Sequence, residues 1–269
     1  MLRLMGITKI FNRDSTNEKR VLHELDLTLA AGDFVTIIGS NGAGKSTMLN
    51  AIAGVFPLDG GRILLSGEDI TDLPCHKRAG LIGRVFQDPM SGTASTMTIE
   101  ENLAIAARRG SGRGLKKAIT GNQRTRMREE LSGFGLDLEN RLTTPVGLLS
   151  GGQRQALALL MAVFNCPSLL LLDEHTASLD PRTGEKVLGL TQELVNSMNL
   201  TTLMVTHNIR DALRIGNRTI MMHEGKIVLD VKGEERDRLT TDDVLRLFET
   251  RSGEGLTDDR ILLAKPTAV

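Results

Sequence analysis

Phe34-Val35-Thr36-Ile37-Ile38, running into Gly39-Ser40-Asn41-Gly42-Ala43-Gly44-Lys45-Ser46-Thr47, is the stretch that decides the fold. A short apolar run rich in β-branched residues enters a glycine-rich turn, and the turn opens the helix-compatible residues 46–53. Such a run suits a strand covered on both faces, as in a parallel sheet. The turn has the phosphate-binding pattern G-x-x-x-x-G-K-S in the strand-to-helix setting that the pattern requires. Its glycines let backbone N–H groups converge on phosphate oxygens, and the helix start adds the positive end of its dipole. Lys45 is expected to reach the β- and γ-phosphates and Ser46 to ligate Mg2+. The segment from Gly39 to Thr47 is therefore the candidate nucleotide-binding loop.

Working outward, Leu169-Leu170-Leu171-Leu172-Asp173 reads as a buried strand ending in an acid, with Glu174 next. In the company of a phosphate-binding loop, Asp173 is expected to hold Mg2+ and Glu174 to polarise an attacking water as general base. A third motif, Leu149-Ser150-Gly151-Gly152-Gln153, precedes the apolar helical run 155–164 and sets a serine and two glycines at a helix N-terminus. That is a second anion site. One nucleotide cannot use two distant anion sites of one chain, so the second is expected to serve the nucleotide of a neighbouring molecule.

Together these motifs resemble the ABC ATPase family over residues 2–232. The resemblance implies an α/β fold: a P-loop NTPase core of the ABC type, an N-terminal antiparallel β subdomain and an inserted α-helical subdomain at about 90–165. It implies ATP and Mg2+ as cofactors. Gln87, in Val85-Phe86-Gln87-Asp88-Pro89, is similar to the family's glutamine that contacts the metal and senses the permease. Ser178-Leu179-Asp180 resembles the loop along the dimer interface, and His207 resembles the switch histidine at the γ-phosphate. Phe11 matches the aromatic position that stacks on adenine. Two copies are then expected to sandwich two ATP, each held by Lys45, Ser46, Asp173 and Glu174 of one chain and by Ser150, Gly151 and Gly152 of the other. Many family members have proline after the glutamate, where this chain has His175. Wording around Glu174, His207 and Met221-Met222-His223 is similar to single-cassette importer ATPases that accompany tryptophan/tyrosine-type substrate-binding proteins.

Composition agrees with this reading. A chain of 269 residues with 40% apolar residues can bury a core, and a formal net charge of zero argues against a protein that coats nucleic acid through its overall field. Cys75 and Cys166 match no metal spacing. The start, Met1-Leu2-Arg3-Leu4-Met5, lacks the pattern of a signal peptide. The longest apolar stretch, residues 156–164, falls short of the ~20 residues of a bilayer span. Membrane association is therefore expected through permease subunits at the cytoplasmic face.

Strands are expected at 2–10, 21–29, 34–38, 62–65, 81–86, 169–172 and 201–206, with a hairpin over 219–231. Helices are expected at 184–198, 208–215 and 240–249, and a more polar helical texture over 98–142. The domain plan is an ATPase domain over 1–232, then a helix and a loose tail over 233–269, too short for an appended regulatory β-domain. Between 108 and 128 lie eight basic residues and no acidic ones. The plain reading of that run is solvated helix ends and loops; a contact to a partner or to anionic headgroups is the alternative. Solute import is the expected function, amino acids the suggested cargo. The competing functions are an exporter or lipoprotein-release ATPase and a soluble ABC ATPase acting on ribosomes or DNA.

Overall fold

A computed structural model of the chain describes residues 1–110 and 119–252. The centre of the basic run (111–118) and the expected loose tail from 253 on lie outside the described residues. The chain divides into two compact units, one of Met1–Pro74 with the residues from Thr201 onward, the other Cys75–Leu200.

The first unit opens on β1 (Leu2–Phe11) and β2 (Lys19–Leu29), and continues through β3 (Phe34–Gly39), α1 (Lys45–Ala53), β4 (Gly60–Leu65) and the short β5 (Glu68–Asp69). It resumes with β8 (Thr202–Val205), α7 (Ile209–Arg214), β9 (Arg218–His223), β10 (Lys226–Lys232), α8 (Gly233–Asp237) and α9 (Thr241–Ser252). An antiparallel sheet has the order β2-β1-β4-β5, and the remaining strands of the unit run β10-β9-β3-β8. In β2 the alternation at Leu25, Leu27 and Leu29 puts one face in the core. β3 pairs in parallel with β8 on one side and β9 on the other, and Phe34 to Ile38 are all buried. This is the two-sided cover that its unbroken apolar run called for.

A polar network fastens the end of this unit. Thr36 Oγ1 donates to Ala212 O (2.9 Å), and the buried Arg236 donates to Thr219 Oγ1, Ala212 O and Ile215 O at 3.1, 3.1 and 2.6 Å. A buried guanidinium needs such partners, and they anchor α8, an element that no periodicity announced. α9 lays Val244 and Phe248 against Ile38, Ile209, Ala212, Met221, Leu229 and Val231.

The second unit contains α2 (Cys75–Arg78), β6 (Ile82–Val85), α3 (Ile99–Ala107), α4 (Gly121–Ser132), α5 (Gly151–Val163), β7 (Leu169–Asp173) and α6 (Pro181–Ser197). β6 and β7 pair in parallel with Ile82 opposite Leu169 and Arg84 opposite Leu171. Helices begin on side-chain caps: Thr98 with Glu101, Thr120 with Gln123 and Ser150 with Gln153 each close a reciprocal capping box. α6 starts three residues earlier than its apolar pattern suggests, because Asp180 caps it and Pro181 occupies its first position. Part of the basic run is spent inside this unit. Arg124 donates twice to Glu100, at 2.6 and 2.8 Å, and Arg126 lies 4.9 Å from the Phe164 ring centre.

Candidate nucleotide site

In the first unit the strand β3 delivers the loop and α1 receives it. Gly39 has φ 147°, and a Cβ there would lie 2.1 Å from Met222 O, so no other residue fits the turn. Gly44 caps α1 in the left-handed conformation (φ 96°) without any side-chain cap bond. As a glycine, Gly44 brings no side-chain oxygen of its own to the amides that open α1, the groups an anion-binding loop uses. Lys45 is buried, and its Nζ donates to Gly39 O and Ser40 O at 2.6 and 2.8 Å. That fold-back holds the ammonium at the loop it is meant to serve. Asn41, Gly42 and Ser46 are exposed, Thr47 is half-buried, and Ala43 is buried. Gly225, in the turn between β9 and β10, donates its N–H to Ala43 O (3.0 Å) and accepts from His23 N (3.2 Å), which braces the loop from behind.

Phe11, half-buried at the end of β1, meets the edge of Phe56 at 5.3 Å with an interplanar angle of 81°. Lys9 Nζ lies 5.4 Å from its centroid and pairs with Asp59 at 3.0 Å. The Ile10 N–H, donated to Asp59 at 2.8 Å, holds that carboxyl below its ordinary range, helped by Lys9. His207 follows β8 half-buried, just ahead of α7, which Asn208 caps by accepting from the N–H groups of Arg210 and Asp211.

The second unit carries the other candidates. Asp173 ends β7 and Glu174 follows it, both partly exposed beyond four fully buried leucines. Glu174 has φ 49°, a left-handed conformation uncommon for a residue with a side chain, and such conformations cluster at functional positions. Gln87 is exposed, and its carbonyl accepts from Ser178 Oγ at 3.2 Å, so two candidate loops touch. Gln155 Nε2 donates to Phe86 O at 3.2 Å, tying α5 to the same segment. Ser150 stands exposed at the start of α5, with Gly151 beside it and Gly152 buried. Gln153 accepts the Ser150 N–H (3.2 Å) and donates to Leu136 O (3.2 Å). The Asp180 carboxylate accepts from Thr183 N (3.1 Å), and bonding to Thr183 holds its pKa below the ordinary value; it serves here as a helix cap.

His175 is wholly buried. Thr191 donates its hydroxyl to Val187 O (2.8 Å), so His175 Nε2 donates to Thr191 Oγ1 (2.9 Å). Burial lowers the imidazole pKa to about 4. The unfolded chain therefore takes up a proton near pH 6.5 that the folded chain refuses until about pH 4. The contribution to stability is intact above pH 6.5 and declines as pH falls toward 4, by about 2 kcal/mol at pH 5. His175→Gln keeps a donor for Thr191 and does not titrate. Urea unfolding at pH 7.5 and pH 5 is expected to show a smaller acid loss in that variant than in the wild type.

Four features escaped the sequence reading: Arg84 beside Asp173, the Lys9–Asp59 pair behind Phe11, the Gly225 brace and the His175–Thr191 bond. For Arg84 a signal existed, a lone cation inside the apolar strand Leu81-Ile82-Gly83-Arg84-Val85-Phe86. The metal candidates Ser46, Gln87 and Asp173 offer a hydroxyl, an amide and one carboxylate. Among the described residues no group of three or more His, Cys, Asp or Glu side chains gathers into a metal cage. Ser46 stands in the first unit and Gln87 and Asp173 in the second, and each offers a hard oxygen of the kind Mg2+ accepts.

The profile of the family described as ABC transporter matches residues 22–177. The tyrosine transport ATP-binding protein of Clostridioides difficile is 44% identical over 249 residues, covering 93% of this chain and 99% of that protein. The spermidine/putrescine import ATP-binding protein PotA of Escherichia coli K12 is 35% identical over 86% of this chain, which spans 56% of PotA's length. Among solved structures, the dimeric post-hydrolysis state of the cassette MJ0796, bound to ADP and Pi, superposes with a TM-score of 0.73 at 31% identity, covering 86% of this chain and 98% of that one. The ADP conformation of the cassette MJ1267 gives 0.76 at 27% identity over 94% and 99%.

Proposed function

This chain belongs to the ABC transporter family as an ATP-binding, ATP-hydrolysing subunit, and from that premise we propose that it powers import of an amino acid, tyrosine or a close analogue, through a separate permease. The observation that carries the proposal is the 44% identity to a tyrosine transport ATP-binding protein over 93% of this chain. Among the described residues no helix is long and apolar enough to cross a membrane. The subunit is proposed to sit at the cytoplasmic face, held there by permease subunits, with a substrate-binding protein delivering the solute.

The roles follow from the residues. The amides of Gly39 to Thr47 and the Lys45 ammonium take the β- and γ-phosphates, and Phe11 stacks on the adenine. Ser46, Asp173 and Gln87 would hold Mg2+, which when bound would supply positive charge to offset the charge that develops on the phosphates. Glu174 accepts a proton from the water that attacks the γ-phosphorus; the bond from that phosphorus to the β-bridging oxygen breaks, and ADP leaves with that oxygen. His207 donates to a γ-phosphate oxygen as charge builds. A second copy presents Ser150, Gly151, Gly152 and Gln153, with Asp180 lining the same interface. Closure of two copies on two ATP, and reopening after hydrolysis, is the two-state element that moves the permease. The ATPase function is assigned to 1–232, and the helical segment at about 90–165 is proposed to convey the motion.

Reconstitution with the permease and binding protein that co-purify with it tests the direction and the cargo together. ATP-dependent uptake of labelled tyrosine, with ATPase activity raised by the loaded binding protein, is the expected result. Outward movement of solute, or no response to any aromatic amino acid, would overturn the proposed cargo and direction.

A further inference from the structure

We propose that Arg84 is a positioning residue that holds the Asp173 carboxylate until a divalent cation takes it, so that metal arrival is transmitted to the segment entering Gln87. This rests on reading Asp173 as a metal ligand. Arg84 lies on β6, alongside β7, and its Nη2 donates to Asp173 Oδ2 at 3.4 Å, with both side chains only 14% exposed. The guanidinium also stacks on Phe86, 4.5 Å from the ring centre, one residue before Gln87. Its Nε is buried without a hydrogen-bond partner among the described residues.

The form of this pair sets it apart. Arg124 makes two bonds of 2.6 and 2.8 Å to Glu100, and Arg218 makes two of 2.7 and 2.5 Å to Asp230. Those are forked, fully engaged pairs of the kind that fix structure. Arg84 gives Asp173 a single long bond and leaves Nε unanswered. Desolvation works against its charge, pulling the guanidinium pKa down, while Asp173 opposes that pull. A single bond of 3.4 Å holds less than a two-bond fork, so this pair gives way more readily than those two. A hard divalent cation on the Asp173 carboxylate would bring a second positive charge close to the guanidinium, and the repulsion between them would weaken the long Arg84 bond. Metal binding is therefore expected to loosen Arg84, which also stacks on the Phe86 ring. The Phe86 carbonyl is tied to α5 through Gln155, and the Gln87 carbonyl to Ser178, so a shift there reaches the helix behind Ser150 and the loop at Asp180.

Mn2+ titrated into the full chain with a non-hydrolysable ATP analogue, and followed by paramagnetic resonance, tests the first half. Removing the competing cation in Arg84→Met is expected to tighten Mn2+ binding about three- to tenfold, and Arg84→Lys to leave it within about twofold of wild type. Arg84→Gln carries the same expectation as Arg84→Met if the methionine variant does not fold. Unchanged or weaker Mn2+ binding in the neutral variants, alongside weaker binding in Asp173→Asn, overturns the role of Arg84 and leaves the site reading standing. Unchanged binding in Asp173→Asn removes the metal assignment itself. For the second half, Phe86→Trp gives a single fluorophore in a chain with no tryptophan or tyrosine. Its emission is expected to shift with Mg2+ when Arg84 is present and to stay still with Arg84→Met; equal shifts in both backgrounds would refute the transmission.

Discussion

Glu174→Gln is expected to lower ATP turnover about a hundred- to ten-thousandfold, the usual contribution of a placed general base, while ATP binding stays close to wild type. The separation of the two effects is the content of the prediction. The substitution preserves shape, leaves the loop from Gly39 to Thr47 untouched, and removes only the group able to accept the proton of the attacking water. Because Glu174 is held at φ 49° and His175 is pinned behind it to Thr191 (2.9 Å), the replaced side chain starts from the same backbone position. Single-turnover hydrolysis with labelled ATP, set beside equilibrium binding of the same nucleotide, reads both quantities. Wild-type turnover in this variant would remove Glu174 from its assigned role.

Lys45→Ala is expected to act on binding as well as on hydrolysis. The Lys45 ammonium is buried and folded onto Gly39 O and Ser40 O, so it meets phosphate oxygens in a poorly hydrated setting where charge-assisted bonds are strong. Loss of one or two such bonds corresponds to ATP affinity weaker by about ten- to a hundredfold. Loss of charge stabilisation in the transition state costs a further factor of about 10² to 10³ in turnover. Calorimetric titration with ATP and a phosphate-release assay check the two parts. An affinity unchanged from wild type would contradict the reading of the loop.

The parts of this chain that were legible in its sequence are those whose cause is local. The strand that enters the loop from Gly39 to Thr47, the helix that leaves it and the strand Leu169 to Asp173 are each set by a few consecutive residues. The start of α5 is legible for the same reason, since Ser150 and Gln153 cap one another three positions apart. What stayed hidden depends on distant partners. Asp173 lies 89 positions from Arg84, and nothing near either residue names the other. Lys9 finds Asp59 only because β1 pairs with β4. The left-handed backbone at Glu174 and the short helix that Arg236 anchors have no compositional mark at all. Asp180, expected along an interface, also caps α6, a bond set by its own neighbours three positions on.

The claim at the centre is that each phosphate loop is half of a catalytic centre. The molar mass of Glu174→Gln in solution, measured by light scattering with ATP and again after ATP removal, tests it most directly. Two chains of 29.2 kDa travelling together with ATP and separating without it is the predicted result; a mass of one chain under saturating ATP would contradict it.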